Sequence, residues 1–308
     1  MIRNLNSLLE DKSISEVPFV LKGLVKASVG MLIAAPSAGK SHLALSIAME
    51  HASSATILGL SCFEAPKKVL VVSSEDGSAV LRERMTEKVK LFSSDVQTEL
   101  LNNLFFLTDE TPIITPPDAY ADEQRATSLY VDNLVQSAID NDVDLIIVDT
   151  VTEAVGSCDE VKHDKHIKAG FQAIARRTGA SILLVHHVNK NEIRGEQEVT
   201  MASGAGLSSI MRLVKFMITI KAGKNNRVVQ FLKSNYLPQD EEREFEVDFV
   251  EGVLSRKGIL SLGSTSKKKT ENPKIMKSIQ EEPEVMSIKP DPNQKISKES
   301  ENDLRDVL

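Results

Sequence analysis

The segment from Ala34 to Ser41 reads Ala-Ala-Pro-Ser-Ala-Gly-Lys-Ser and contains the residue types that hold a phosphate chain. It follows an apolar run at 29–33 and precedes the helix-like stretch 42–48. In a strand–loop–helix unit of this kind, the loop N–H groups and the helix N-terminus face the phosphates. We therefore predict that Lys40 lies between the β- and γ-phosphates of a nucleoside triphosphate and that the Ser41 hydroxyl binds Mg²⁺.

The same spacing predicts a full set of nucleotide contacts: Pro36, Ser37, Ala38, Gly39, Lys40, Ser41 and His42. One position departs from the usual pattern, because Ala34 stands where the first glycine is normal. Alanine fits there only with a negative φ. The motif thus predicts ATP and Mg²⁺ as the ligands and a non-glycine backbone conformation at Ala34.

Three further groups of polar residues follow predicted strands. Glu75 comes after the apolar run 69–74, Asp149 ends the run 145–148, and a histidine pair follows 181–185. Ligands of open α/β sheets bind at such strand ends. We expect Asp149 to help hold Mg²⁺ and Glu75 to orient and deprotonate the attacking water. A turn-capping role for Asp149 and a helix-start role for Glu75 are the structural alternatives.

The pair His186 and His187 has three interpretations. Either histidine could be a hydrogen-bonded core residue, or His187 could donate a hydrogen bond to the γ-phosphate. Metal binding is the third, since His163 and His166 stand three residues apart and near Cys158. That spacing is loose and lacks a clear fourth ligand.

Short apolar runs alternate with amphipathic stretches over residues 17–150, which predicts a doubly wound, mainly parallel sheet covered by helices. Beyond residue 210 the pattern predicts antiparallel hairpins. The predicted helices are 79–92, 126–139 and 161–177, and the predicted hairpin strands are 213–221, 227–234, 245–249 and a run from 253.

Composition narrows the possible functions. The net charge of −7 excludes a generally basic nucleic-acid-binding surface, and an aromatic content of 4% with no tryptophan argues against an aromatic base-stacking surface. We find no signal segment and no bilayer-spanning apolar run, and two cysteines provide no disulfide framework. These features predict a cytoplasmic protein with no membrane partner.

The chain divides at about residue 262. We predict one α/β domain over residues 1–262 and a disordered, charged tail over 263–308, because that stretch has too few apolar side chains to bury. Acidic and apolar residues mix at 299–308, which suits either a solvated end or a docking site for a replication partner.

Lysines and an arginine occur in the segments that follow two of the predicted strands: Lys162, Lys165, Lys168, Lys190 and Arg194. They are either solvated surface residues or the lining of a channel that contacts a phosphodiester backbone.

Several segments together resemble a known family. A glutamate that follows a neighbouring strand, instead of standing beside Asp149, resembles the RecA-type arrangement and differs from the AAA+ one. Within the RecA type, the chain is similar to the RepA-like hexameric replicative helicases of plasmids and phages. The similar stretches are 35–41, 74–76, 147–150, 186–190 and 233–236, in the family's order, and the resemblance covers about residues 17–250.

The resemblance implies a RecA-like fold and a homo-hexameric ring with ATP bound between subunits. It also implies that each subunit supplies a cationic finger to its neighbour's γ-phosphate. Lys233 and Arg212 are the candidates, with a surface ion pair as the alternative role for either.

Three functions fit these features. The first is an ATP-driven, ring-shaped helicase or translocase that acts on single-stranded DNA in plasmid or phage replication. The second is a RecA/RadA-like recombination ATPase that forms filaments. The third is a RecA-fold regulatory ATPase that acts on a protein partner, which the acidic net charge favours.

Overall fold

The computed structural model describes residues 4–11, 17–109, 111–187, 208–223, 226–238 and 240–261. Lys190, Arg194 and the predicted tail at 263–308 lie outside these residues. The interpretations given to them remain predictions.

Eight helices and eleven strands are described. The helices are α1 Leu5–Leu9, α2 Lys40–Ala52, α3 Ser78–Val89, α4 Ser94–Asn103, α5 Ala121–Asp140, α6 Val151–Ala154, α7 Asp164–Thr178 and α8 Ser208–Leu213. The strands are β1 Phe19–Leu21, β2 Leu24–Val25, β3 Val29–Ala34, β4 Lys68–Ser73, β5 Leu104–Leu107, β6 Val143–Asp149, β7 Ser181–His187, β8 Phe216–Ala222, β9 Arg227–Ser234, β10 Glu244–Val250 and β11 Val253–Arg256.

Nine strands form one sheet in the order β11-β10-β9-β8-β3-β7-β6-β4-β5. The pairs from β8 to β5 are parallel, and β8, β9, β10 and β11 pair antiparallel. The predicted mainly parallel α/β sheet with C-terminal antiparallel hairpins is therefore confirmed. Because β3, β7, β6 and β4 are parallel neighbours, their carboxyl ends form one edge, which places the site.

The sheet buries both of its faces, and alternate residues of one strand show this. In β3, Leu32 belongs to the core that packs under α2 and α4, whereas Met31 and Ile33 belong to the core under α5 and α7. A strand covered on both sides must be apolar throughout. This explains why continuous apolar runs predicted these strands correctly.

The structure adds elements that the sequence pattern did not predict. Helix α4 runs directly into β5 with no intervening turn residue, so no Gly, Pro or Asn-Gly signal separates the two. Strand β8 begins at Phe216 rather than at 213, because residues up to Leu213 belong to α8. Helix α7 ends as predicted at Gly179, whose φ of 70° suits a residue without a side chain.

Within the described residues, no helix has both the length and the apolar character needed to cross a bilayer.

Candidate active site

The loop between β3 and α2 forms a cradle that opens onto the carboxyl edge of the sheet. Helix α2 starts at Lys40, and its first intrahelical hydrogen bond runs from Leu43 N to Gly39 O over 2.9 Å. As at any helix start, the N–H groups of the first turn have no intrahelical acceptor. They carry the positive end of the helix dipole, so this loop can receive an anion.

Local backbone geometry explains which residues the loop needs. Gly39 has φ = 105°, a conformation that side chains rarely allow, and Ser37 also has a positive φ of 63°. Ala34 ends β3 and is not among the residues with positive φ, as its side chain requires. Replacement of the usual glycine at this position is therefore compatible with the loop.

Asp149 lies at the end of β6 beside the start of α2. Its carboxylate is buried and accepts a hydrogen bond from the Ser41 hydroxyl, while Oδ1 has no hydrogen-bond partner within the described part of the chain. Burial raises the pKa of Asp149, and the Ser41 hydrogen bond and Lys40 oppose that rise. A buried carboxylate oxygen without a partner, next to a hydroxyl, is a donor set that suits Mg²⁺.

Glu75 faces the lysine of the cradle. Glu75 Oε2 lies 3.8 Å from Lys40 Nζ, and the Glu75 side chain is 51% exposed whereas Lys40 is buried. Strand β4 is held beside β6 by a 3.0 Å hydrogen bond from Ser74 N to Asp149 O. The adjacent Asp76 forms an ion pair with Arg84 of α3. Glu75 thus stands between solvent and the cradle.

The histidine pair divides its roles between core and site. His187 ends β7 directly opposite Ala34, and its pKa is lowered by burial and then by Lys40. His186 is buried, with Nε2 3.6 Å from Glu160 Oε2. Glu160 in turn accepts a 2.7 Å hydrogen bond from Thr152. Of the two, His187 is the one that lies by the cradle.

The other side of α2 carries residues whose role the sequence did not reveal. Lys88 of α3 is buried, donates a hydrogen bond to Gly252 O and lies 3.3 Å from His42 Nδ1. Burial, then Arg84, lowers the pKa of Lys88 to about 8. Burial and then Lys88 lower the pKa of His42 to about 4. No spacing rule links these residues, because they come from distant parts of the chain.

Both finger candidates lie away from the cradle of their own subunit. Lys233 of β9 pairs with Met217, which pairs with Met31, three residues before Ala34 in β3. At the rise of an extended strand this is roughly 10 Å towards the amino end of the sheet. Lys233 Nζ donates to Arg212 O over 2.8 Å, and burial lowers the pKa of Lys233. The Arg212 side chain is exposed.

The loosely spaced cysteine and histidines each have a local protein partner. Cys158 Sγ lies 3.7 Å from Ile114 O, and His166 Nε2 lies 2.9 Å from Thr115 O. His163 Nδ1 accepts a hydrogen bond from Asp159 N over 3.1 Å. Across the described residues, no group of three or more His, Cys, Asp or Glu side chains could hold a metal ion.

Of the lysines after β6, Lys162 is exposed and forms a 2.8 Å ion pair with Asp118. Lys165 and Lys168 lie on α7, and Lys165 is exposed. The positive charge of Lys162 is therefore largely matched by a neighbouring carboxylate.

Comparison with protein families gives one match over most of the described core. A family model described as "AAA domain" matches residues 4–192, which is more than half of the chain. No curated protein matches this chain.

Solved structures share the fold at low sequence identity. The ATPase domain of a helicase has a TM-score of 0.55 at 12% identity, and the match covers 82% of this chain and 96% of that domain. A KaiC-like protein from Pyrococcus horikoshii OT3 has a TM-score of 0.51 at 12% identity, with 77% and 93% covered. The RadB recombinase reaches 0.47 at 16% identity, with 75% and 91% covered. The first two matches show that the fold is RecA-like, as predicted.

Proposed function

The chain belongs to the AAA-domain family and has the fold of a RecA-type P-loop ATPase, and from this premise we propose that it is an ATP-driven motor that acts on single-stranded DNA. One observation carries the chemical part of the proposal. Lys40, Ser41, Glu75, Asp149 and His187 come from four strand ends and meet at one edge of the sheet.

The phosphates of ATP bind in the cradle. The N–H groups at the start of α2 and the Lys40 ammonium contact the β- and γ-phosphates, while Pro36, Ser37, Ala38 and Gly39 form the loop around them. Ser41 and Asp149 hold Mg²⁺, which neutralises charge on the phosphate oxygens when bound. The partnerless Oδ1 of Asp149 supports this assignment.

Glu75 is the general base. The 3.8 Å contact with Lys40 gives it a position next to the γ-phosphate, and its half-exposed side chain can reach a water molecule from the solvent side. The contact with Lys40 also keeps the carboxylate ionised, as a proton acceptor must be. His187, on the neighbouring β7, donates a hydrogen bond to the γ-phosphate and reports its presence.

Assembly into a ring completes the site. Lys233 and Arg212 lie towards the other end of the sheet from their own cradle, so neither reaches a phosphate bound there without a large rearrangement. A neighbouring subunit can instead receive them. A cationic group supplied in this way accelerates phosphoryl transfer by about 10³- to 10⁵-fold in other ATPases and GTPases. We therefore propose a homo-hexamer, as the RepA-like resemblance implies.

Single-stranded DNA is the proposed partner, moved by the segments that follow Asp149 and His187. Lys165 and Lys168 on α7 support contact with a phosphate backbone. One observation favours a second candidate, a regulatory ATPase acting on a protein partner. Lys162 is neutralised by Asp118, and Glu153 and Asp159 are exposed nearby, so this surface is largely acidic.

A single experiment separates the candidate functions. We would measure ATP hydrolysis with and without single-stranded DNA, and particle mass with a non-hydrolysable ATP analogue. A discrete six-subunit particle with DNA-stimulated turnover supports the helicase or translocase. Long filaments support the recombination ATPase, and turnover that DNA does not change supports the regulatory ATPase.

A further inference from the structure

An exposed aromatic ring lies beside the phosphate cradle. Phe249, near the end of β10, is 39% exposed although phenylalanine normally buries its ring. Its Cζ atom lies 3.9 Å from the position that a Cβ would occupy at Gly39. The ring therefore lies against the loop that is proposed to hold the phosphates.

Two side chains fix this ring in place. His42 packs edge-on against Phe249, with ring centroids 5.1 Å apart and planes at 90°. The Arg227 guanidinium carbon lies 4.9 Å from the Phe249 centroid. Arg227 Nε is buried and has no hydrogen-bond partner within the described residues. An aromatic ring with a guanidinium group over it forms a flat, electron-rich and partly cationic surface.

The order of residues at the start of α2 sets the direction of a bound nucleotide. Ser41 points to Asp149 of β6, on the side of the sheet where Glu75 also lies. The next residue, His42, contacts Phe249 of the C-terminal hairpin instead. The γ-phosphate lies towards Glu75, so the nucleoside must leave the cradle on the opposite side, where Phe249 is.

We propose that Phe249, with Arg227 against it, is the platform on which the nucleobase of the bound nucleotide stacks. The inference rests on the proposed function, because it requires a triphosphate in the cradle at Lys40. Stacking uses the π-face that every base has, so the platform raises affinity for nucleotides over inorganic polyphosphate. Purines, which offer the larger face, gain more than pyrimidines.

The chain has no tryptophan, so a Phe249→Trp variant carries a single fluorophore of this type at the proposed platform. We expect ATP to quench its emission and inorganic tripolyphosphate, which has no base, to leave it unchanged. A Phe249→Ala variant should bind ATP about 5- to 100-fold more weakly, as expected from loss of one base–aromatic stack. Its affinity for tripolyphosphate should stay at the wild-type value.

Tyr236→Ala is the matched control, because Tyr236 is also a half-exposed aromatic residue but lies after β9. It should bind ATP like the wild type. Phe249→Tyr should retain affinity, which separates stacking from a general loss of structure.

The outcomes of this test distinguish the two proposals. If Phe249→Ala binds ATP like the wild type while Lys40→Ala does not, the platform is overturned and the phosphate cradle stands. The same holds if ATP leaves the Phe249→Trp emission unchanged while binding is measured by calorimetry. If the wild type binds neither ATP nor tripolyphosphate, the proposed function fails and the platform fails with it.

Discussion

Lys40 and Glu75 lie 3.8 Å apart across the edge of the sheet, although 35 positions of sequence separate them. The pair joins the proposed phosphate-binding cation to the proposed catalytic base. In the structure each partly neutralises the other. When a triphosphate binds, Lys40 gains phosphate oxygens as partners, and the Glu75 carboxylate becomes available to a water molecule.

Replacement of Lys40 by alanine should abolish tight ATP binding, because the phosphates lose the buried cation of the cradle. Isothermal titration calorimetry with Mg·ATP measures this directly. Lys90→Ala is a suitable control, since Lys90 is an exposed lysine that pairs with Glu87. An ATP affinity equal to that of the wild type in the Lys40 variant would contradict the cradle.

Glu75→Gln should separate binding from hydrolysis. The amide keeps the size of the side chain but cannot accept the proton of the attacking water, so turnover should fall by about 10²- to 10⁴-fold. ATP should bind at least as tightly as to the wild type, because the substitution removes a negative charge near the γ-phosphate. Steady-state ATPase assays and calorimetry test both points, with Glu83→Gln on α3 as a control. Undiminished turnover would remove Glu75 from its assigned role.

Asp149→Asn tests the metal assignment. The substitution preserves volume but removes the charge of a buried carboxylate whose Oδ1 has no partner among the described residues. We expect Mg²⁺ to bind at least about tenfold more weakly in the presence of ATP, the lower end of the loss seen when groups that support a metal are removed. Titration of Mg²⁺ at fixed ATP measures the shift. If the variant keeps the Mg²⁺ dependence of the wild type, Asp149 does not hold the ion.

Protonation of His51 should make the protein less stable in mild acid. His51 of α2 is buried, its Nε2 has no partner within the described residues, and burial lowers its pKa to about 4. An unfolded histidine has a pKa of about 6.5, so between these values the unfolded chain binds more protons and the free energy of unfolding falls as pH falls. At pH 5 the loss from this residue is about 2 kcal/mol.

Urea unfolding of the wild type and His51→Gln at pH 8, 7 and 5 tests this effect. The contribution should be small between pH 8 and 7, where His51 is mostly neutral in both states. The variant should lose less stability than the wild type between pH 7 and 5. Equal losses in the two proteins would show that His51 is not the titrating group.

Glu50 of α2 should be a major stabilising residue. Its buried carboxylate accepts hydrogen bonds from five consecutive backbone N–H groups, those of residues 57–61. Glu50→Gln replaces one acceptor oxygen by a donor, so two or three of these groups lose their partner. We expect a loss of about 2–5 kcal/mol in the free energy of unfolding.

Glu99→Gln provides the comparison for Glu50, because Glu99 also accepts bonds from a loop, at Ser54 N and Oγ, but at an exposed site. Water can replace those bonds, so the cost should stay below about 1 kcal/mol. Similar costs for the two variants in urea unfolding would contradict the role given to Glu50.

The sequence by itself determined the fold class, the order of the main strands and the identity of the residues at the sheet edge. It could do so because strands buried on both faces must be continuously apolar, and because a phosphate loop needs Gly39, Lys40 and Ser41 at fixed spacing. Those signals are local. The α4–β5 junction was missed because no turn residue marks it.

Only the tertiary structure decided which distant residues meet. The contact of Phe249 with His42, the burial of Lys88 between α2 and the C-terminal hairpin, and the contact of Glu160 with His186 join parts of the chain that share no periodicity. Strand order and register set these contacts, because a shift of one residue moves a side chain to the other face of a sheet. Pairing of this kind is a property of the whole fold and leaves no local trace in the sequence.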